Sequence, residues 1–118
     1  MKSRKLSFVK IDTLRSDLAE ITVDDGIEIN LAMVDEIHRY LLSVFDGSFS
    51  LLINKTNSYS TQIDALIKFG ALPPLDKIAV FAPNKLAKLS ADFAAEIPSS
   101  AVLNILVFTD RDEALAWL

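Results

Sequence analysis

The sequence contains no cysteine, which excludes disulfides, thiolate metal sites and cysteine nucleophiles. Its three glycines, Gly26, Gly47 and Gly70, are widely separated, so there is no glycine-rich loop of the dinucleotide-binding or Walker type. No serine has the flanking glycines of a nucleophile elbow. The single histidine, His38, has no second histidine and no close carboxylate pair in ligand spacing. No apolar run approaches the ~20 residues needed to span a bilayer, and the first residues lack the apolar stretch and small-residue cleavage site of an export signal. Excess positive charge is missing too. The net charge of −4 argues against neutralising nucleic-acid phosphates. These absences lead us to expect a cytoplasmic, non-transmembrane chain without catalytic residues, metal, cofactor or nucleic-acid partner.

What is present is apolar. The hydrophobic fraction of the 118 residues is 51%, more than a small monomer needs, and the length suits one domain spanning residues 1–118. A sheet covered by helices, or a sheet together with a subunit interface, would use that surplus. The basic residues Lys2, Arg4, Lys5 and Lys10 read as a solvated end.

The pattern along the chain is an alternation. Residues 6–11 and 18–23 read as strands joined by a short connection over 13–17, an antiparallel hairpin. Asp24-Asp25-Gly26 supplies turn chemistry, and Asn30 is a good N-cap for a helix beginning at 31. Over 31–45, Val34, Ile37, Leu41 and Phe45 recur on one face of that helix, and Asp35, Glu36, Arg39, Ser43 and Asp46 on the other. Residues 49–53 form a short apolar strand. Helical periodicity returns over 61–69, with Ile63, Leu66 and Ile67 predicted to face inward. A strand over 77–82, a helix over 86–97 closed by Pro98, a strand over 101–108 and a helix over 110–118 complete the order ββαβαβαβα. Asp110 and Glu113 have capping-box spacing at the start of the last helix. Strands alternating with helices imply right-handed crossovers and a mixed, mainly parallel sheet in an α/β domain.

The candidate functional segment is the polar run from Asn54 to Thr61. It leaves the end of a parallel strand, where α/β sheets place their ligand sites, and enters a helix. It carries Thr56, Ser58, Ser60 and Thr61 as hydroxyls, with Asn54 and Asn57 beside them. The simplest role for Ser60 or Thr61 is to cap the helix; a partner-contact or phosphorylation surface is the alternative, since a helix N-terminus favours a phosphate. His38 reads as a partly buried, hydrogen-bonded histidine.

Two stretches resemble a known family. Residues 26–37, GIEINLAMVDEI, resemble the turn and first helix of the STAS-like proteins, relatives of the anti-sigma-factor antagonists. Residues 107–118, VFTDRDEALAWL, resemble the strand and helix that close the same domain, and the order of elements between them fits. The resemblance implies a small domain with a mixed sheet and helices mainly on one side. It also implies protein binding switched by phosphorylation of a serine that opens the helix after the third strand, typically within Asp-Ser-Ser-Gly. That pattern is absent here. Gln62 falls near the switch position, with Ser60 and Thr61 the nearest hydroxyls. The expected function is therefore a regulatory or protein-interaction module, with a surface at Asn54, Thr56, Asn57, Ser58, Ser60, Thr61 and Gln62. A carrier or sensor of a small apolar ligand is the alternative, suggested by the apolar composition and by relatives similar to SEC14-type domains. An enzyme with dispersed site residues comes third. A homodimer, formed through an exposed helix face or an edge strand, is expected to use the surplus apolar surface.

Overall fold

A computed structural model describes residues 2–84 and 104–118 of the chain. The predicted helix over 86–97 and the first residues of the predicted strand over 101–108 lie outside the described residues. Eight strands are described, β1 (Lys2–Lys5), β2 (Val9–Arg15), β3 (Leu18–Val23), β4 (Glu28–Ile29), β5 (Phe49–Asn54), β6 (Ser60–Thr61), β7 (Leu75–Phe81) and β8 (Asn104–Phe108). The described helices are α1 (Leu31–Val44), α2 (Ile63–Gly70) and α3 (Arg111–Trp117).

Six strands form one sheet in the order β1-β2-β3-β5-β7-β8. The first three are antiparallel neighbours, and β3, β5, β7 and β8 run parallel. The mixed, mainly parallel sheet expected from the alternation is thus present. The expected antiparallel hairpin is also present, as β2 and β3, with different bounds and an added edge strand. Arg4, Lys5 and Lys10 are exposed, as a solvated end should be, and the basic end forms the edge strand β1, paired along Lys2↔Thr13 to Lys5↔Lys10. Residues 6–8 are the turn between β1 and β2 rather than the start of a strand, with the Leu6 amide donating to the Val9 carbonyl at 2.8 Å. That bend turns the consecutive Phe8 and Val9 both into the core, which a straight strand cannot do. The strand predicted to end at 11 runs on to Arg15, leaving only Ser16 and Asp17 as the hairpin turn.

Side-chain alternation divides the core between the sheet's two faces. Ile11, Ala19, Ile21, Val23, Leu51 and Ile78 share one cluster with Val34, Ile37 and Leu41 of α1 and Ala65 of α2. Leu52 and Ala79, the alternate positions on β5 and β7, pack with Ala114 of α3 on the other face. The first helix forms as its pattern predicts. The Asn30 side chain accepts from the Met33 amide at 3.0 Å, and Val34, Ile37 and Leu41 are buried.

The second helix departs from its prediction in two ways. It starts at Ile63, not at 61, and neither Ser60 nor Thr61 caps it. Gln62 occupies the cap position without a side-chain hydrogen bond. Ser60 and Thr61 instead form β6, a two-residue parallel ladder with β4. Its buried residue is Ala65, while Ile63 (61% exposed) and Ile67 (42%) face outward. A helix of only two turns docks through whichever residue sits closest to the sheet. A small alanine permits the closer approach, so the stripe of isoleucines is left outside. No described helix is long and apolar enough to cross a membrane.

Candidate functional site

The polar segment emerges at the carboxyl end of β5 and is tied down along its length. Its anchor is the chain between β3 and α1. Gly26 adopts φ +76, a conformation that glycine tolerates and other residues avoid. Its amide donates to the Ser58 carbonyl at 2.7 Å. The Ser60 and Gln62 amides donate to the carbonyls of Ile27 and Ile29, each at 3.0 Å. Asp25 accepts from the Ser58 amide at 2.7 Å, and the Asn57 side chain donates to the Val23 carbonyl at 2.9 Å. The segment is therefore built as a second, small layer against 24–30.

The predicted site residues divide by what their side chains do. Asn57 is a structural brace. Asn54 turns to the α3 face, where its amide donates to Glu20 at 2.9 Å while its oxygen accepts from the Thr56 amide at 3.1 Å. Gln62 reaches Glu28 at 3.4 Å. Thr56, Ser58 and Ser60 are exposed and Thr61 half-exposed. Ser58 and Ser60 engage neighbours through their backbone only, which leaves their hydroxyls facing solvent.

Two features were not found from the sequence. Glu20 is buried on β3 and receives two hydrogen bonds from Arg111, the first residue of α3, from Nε at 3.1 Å and from Nη2 at 2.5 Å. Lys55, inside the polar run, is half-buried with its Nζ 3.8 Å from the centre of the Tyr59 ring. Burial pushes the Lys55 ammonium below its ordinary value and the Tyr59 phenol up to about 12. Tyr59 itself packs against the main core cluster. The only sequence signal for this pair was a tyrosine four residues after a lysine in an otherwise polar run.

His38 is partly buried between α1 and α2. Its Nε2 lies 3.1 Å from the Phe69 carbonyl, so Nε2 carries the proton in the neutral ring, and the His38 and Phe69 rings meet at 5.7 Å. Beside it, Asp35 and Lys68 bridge the same helices at 2.6 Å. Burial lowers the His38 pKa from 6.5. The bond to Phe69 and the charge of Asp35 oppose that shift, and Lys68 adds to it. The unfolded chain therefore takes a proton at His38 that the folded chain resists. Stability present above about pH 6.5 is lost as pH falls from there toward the folded value. We expect the urea midpoint to drop between about pH 7 and pH 5, and His38→Gln to remove that part of the drop. Equal drops in both proteins would contradict the assignment. Asp35, held below its ordinary 3.8 chiefly by the Lys68 hydrogen bond, acts in a lower window.

The sequence matches no family model, and no curated protein matches it. Among solved structures, an uncharacterized protein of the DUF3478 family from Shewanella loihica PV-4, described as having a SpoIIAA-like fold, superposes over 100% of this chain and 99% of its own. The TM-score is 0.62 and the identity 16%. This chain has a SpoIIAA-like fold. At that identity the likeness concerns architecture, and it agrees with the STAS-like resemblance of residues 26–37 and 107–118. In this SpoIIAA-like domain, α1 and α2 share one face of the sheet and α3 holds the other, with the candidate segment at the carboxyl edge beside the start of α2.

Proposed function

We propose that this SpoIIAA-like chain is a non-catalytic regulatory module of the cytoplasm that binds a protein partner through residues 54–62 and the adjoining face of α2. One observation carries the reading. A loop tied down by backbone hydrogen bonds leaves the Ser58 and Ser60 side chains exposed, and α2, which follows it directly in the chain, exposes Ile63 and Ile67. Apolar side chains bordered by polar groups on a rigid support are the anatomy of a protein interface. A loop ordered before binding also loses little conformational entropy on association. Self-association belongs to the same reading, with a homodimer formed through the exposed apolar residues of α1 or α2.

Native mass spectrometry on protein purified gently from its host tests both parts. The expected spectrum holds the chain with a second protein, or as two copies, and the complex is lost in Ser58→Arg/Ser60→Arg while the thermal midpoint moves by less than about 3 °C. The midpoint is spared because these serines hold the loop through their backbone. A bare single chain in both spectra, or a complex indifferent to the double substitution, would overturn the surface. A retained apolar small molecule would move the carrier reading ahead of it.

A further inference from the structure

Lys55 differs from the other lysines whose side chains are described. Lys5 pairs with Asp24 at 2.7 Å, Lys10 with Asp12 at 3.6 Å and Lys68 with Asp35 at 2.6 Å. Lys77 donates to the Trp117 carbonyl at 3.3 Å. Lys55 is half-buried, yet among the described residues its ammonium meets no carboxylate and no carbonyl, only the face of Tyr59. Taking an ammonium out of water without an anion is unfavourable, and a ring quadrupole compensates only part of that loss. Tyr59 cannot supply the missing charge, because its phenol keeps its proton to about 12. Burial lowers the Lys55 pKa, and no charge among the described residues opposes it.

Its position is fixed by the sheet. The Lys55 amide donates to the Phe81 carbonyl, and the Ala82 amide to the Phe108 carbonyl, each at 2.8 Å. Lys55, Ala82 and Thr109 thus come directly after the ends of the parallel strands β5, β7 and β8, at the edge where open α/β sheets hold ligands. The amino ends of α1 and α2 open at this same edge, since both helices are entered from it. Their dipoles add positive potential there.

We propose that Lys55 anchors a small-molecule oxyanion, a carboxylate or phosphate group, at the carboxyl edge of the sheet, with the Tyr59 ring as the floor of the site. The anion completes the pair that Lys55 lacks among the described residues. Binding also draws a proton onto the amine, since a charge partner favours the ammonium. Lys55 and Tyr59 lie within residues 54–62, but the inference does not depend on the partner-binding reading, because it uses a half-buried side chain and none of the exposed hydroxyls.

The test is a titration of the intact chain, labelled with 13C at the lysine ε carbons, with sodium phosphate in one arm and sodium acetate in the other, at constant ionic strength set with chloride. The Lys55 resonance is expected to shift saturably, with a Kd of about 10 mM or tighter. Its titration midpoint rises on saturation, while Lys5, Lys10, Lys68 and Lys77 stay in place. Saturation in the phosphate arm alone assigns a phosphate-bearing ligand, in the acetate arm alone a carboxylate, and in both a general oxyanion site. Lys55→Met is expected to abolish the response. Lys55→Arg retains anion binding, read from the Tyr59 ring signals, and carries the test if the methionine variant does not fold. A Lys55 resonance unmoved by both anions to about 50 mM, or moving no more than the exposed lysines, overturns the proposal. A Ser58→Arg/Ser60→Arg variant that loses the Lys55 response together with partner capture overturns it as well, since the two sites would then be one.

Discussion

Arg111→Met is expected to destabilise the domain by about 3 kcal/mol, the low end of the range for breaking a buried ion pair, because the guanidinium keeps partial contact with water. The carboxylate it leaves behind does not: the Glu20 side chain is 8% exposed against 38% for Arg111. Glu20 sits on β3, and the guanidinium reaches it from the first turn of α3 with two donors. Without Arg111, the Asn54 side-chain amide is the one donor among the described residues that still serves the buried carboxylate. Urea denaturation is the measurement, with a lower midpoint and an unchanged m-value as the expected signature. The companion is Glu20→Met/Arg111→Met. Replacing both charges with groups of similar volume removes the stranded carboxylate and should recover most of the loss. A single variant less than about 1 kcal/mol below the parent would show the pair to be a surface bridge in effect.

The same pair explains part of what the sequence conceals. In Leu18-Ala19-Glu20-Ile21-Thr22-Val23 a glutamate between apolar neighbours has the appearance of an outward position on a half-buried strand. It is buried because a helix 91 residues further on supplies its partner. Strand alternation reports which face a residue takes, and not what will cover that face. The edge strand Lys2–Lys5 was hidden for a related reason: with no apolar residue in it, there was no period to read. Lysines there also suit an edge, where they oppose pairing with other chains.

Where local chemistry decided the structure, reading it succeeded. Asn30 caps α1, the i, i+3, i+7 spacing of Val34, Ile37 and Leu41 fixes its buried face, and Asp110 caps α3 through the amides of Asp112 and Glu113. The candidate segment was located correctly at the end of a parallel strand, but its internal roles were not legible. Ser60 and Thr61 look like caps in sequence. In the fold they pair with Glu28 and Ile29, and that ladder depends on a turn at Gly26 more than 30 residues earlier. Lys55 was hidden by its polar neighbours, since only the packing of Tyr59 distinguishes a half-buried lysine from a solvated one.

Phe49→Ala is the second large effect, expected to cost about 4 kcal/mol, a substantial part of the 5–15 kcal/mol that holds a domain of this size together. Phe49 opens β5, is 1% exposed, and stacks on Phe45 at 4.6 Å with the rings 15° from parallel. Its amide donates to the Pro74 carbonyl at 3.0 Å. The ring thus fills the corner where α1 hands the chain to the sheet, and alanine leaves a cavity that fixed backbone on either side prevents from collapsing. Phe49→Leu keeps most of the volume and is expected to lose less than about 1.5 kcal/mol. A double-mutant cycle with Phe45→Ala should return a coupling of about 0.5–1.5 kcal/mol for the stacked pair. Equal losses for alanine and leucine would argue against the cavity account. Phe49 lies at the amino end of β5, and Lys55 comes just after its carboxyl end. At a temperature where Phe49→Ala remains folded, its Lys55 resonance should therefore titrate with phosphate and acetate as it does in the parent, separating what holds the domain together from what the carboxyl edge binds.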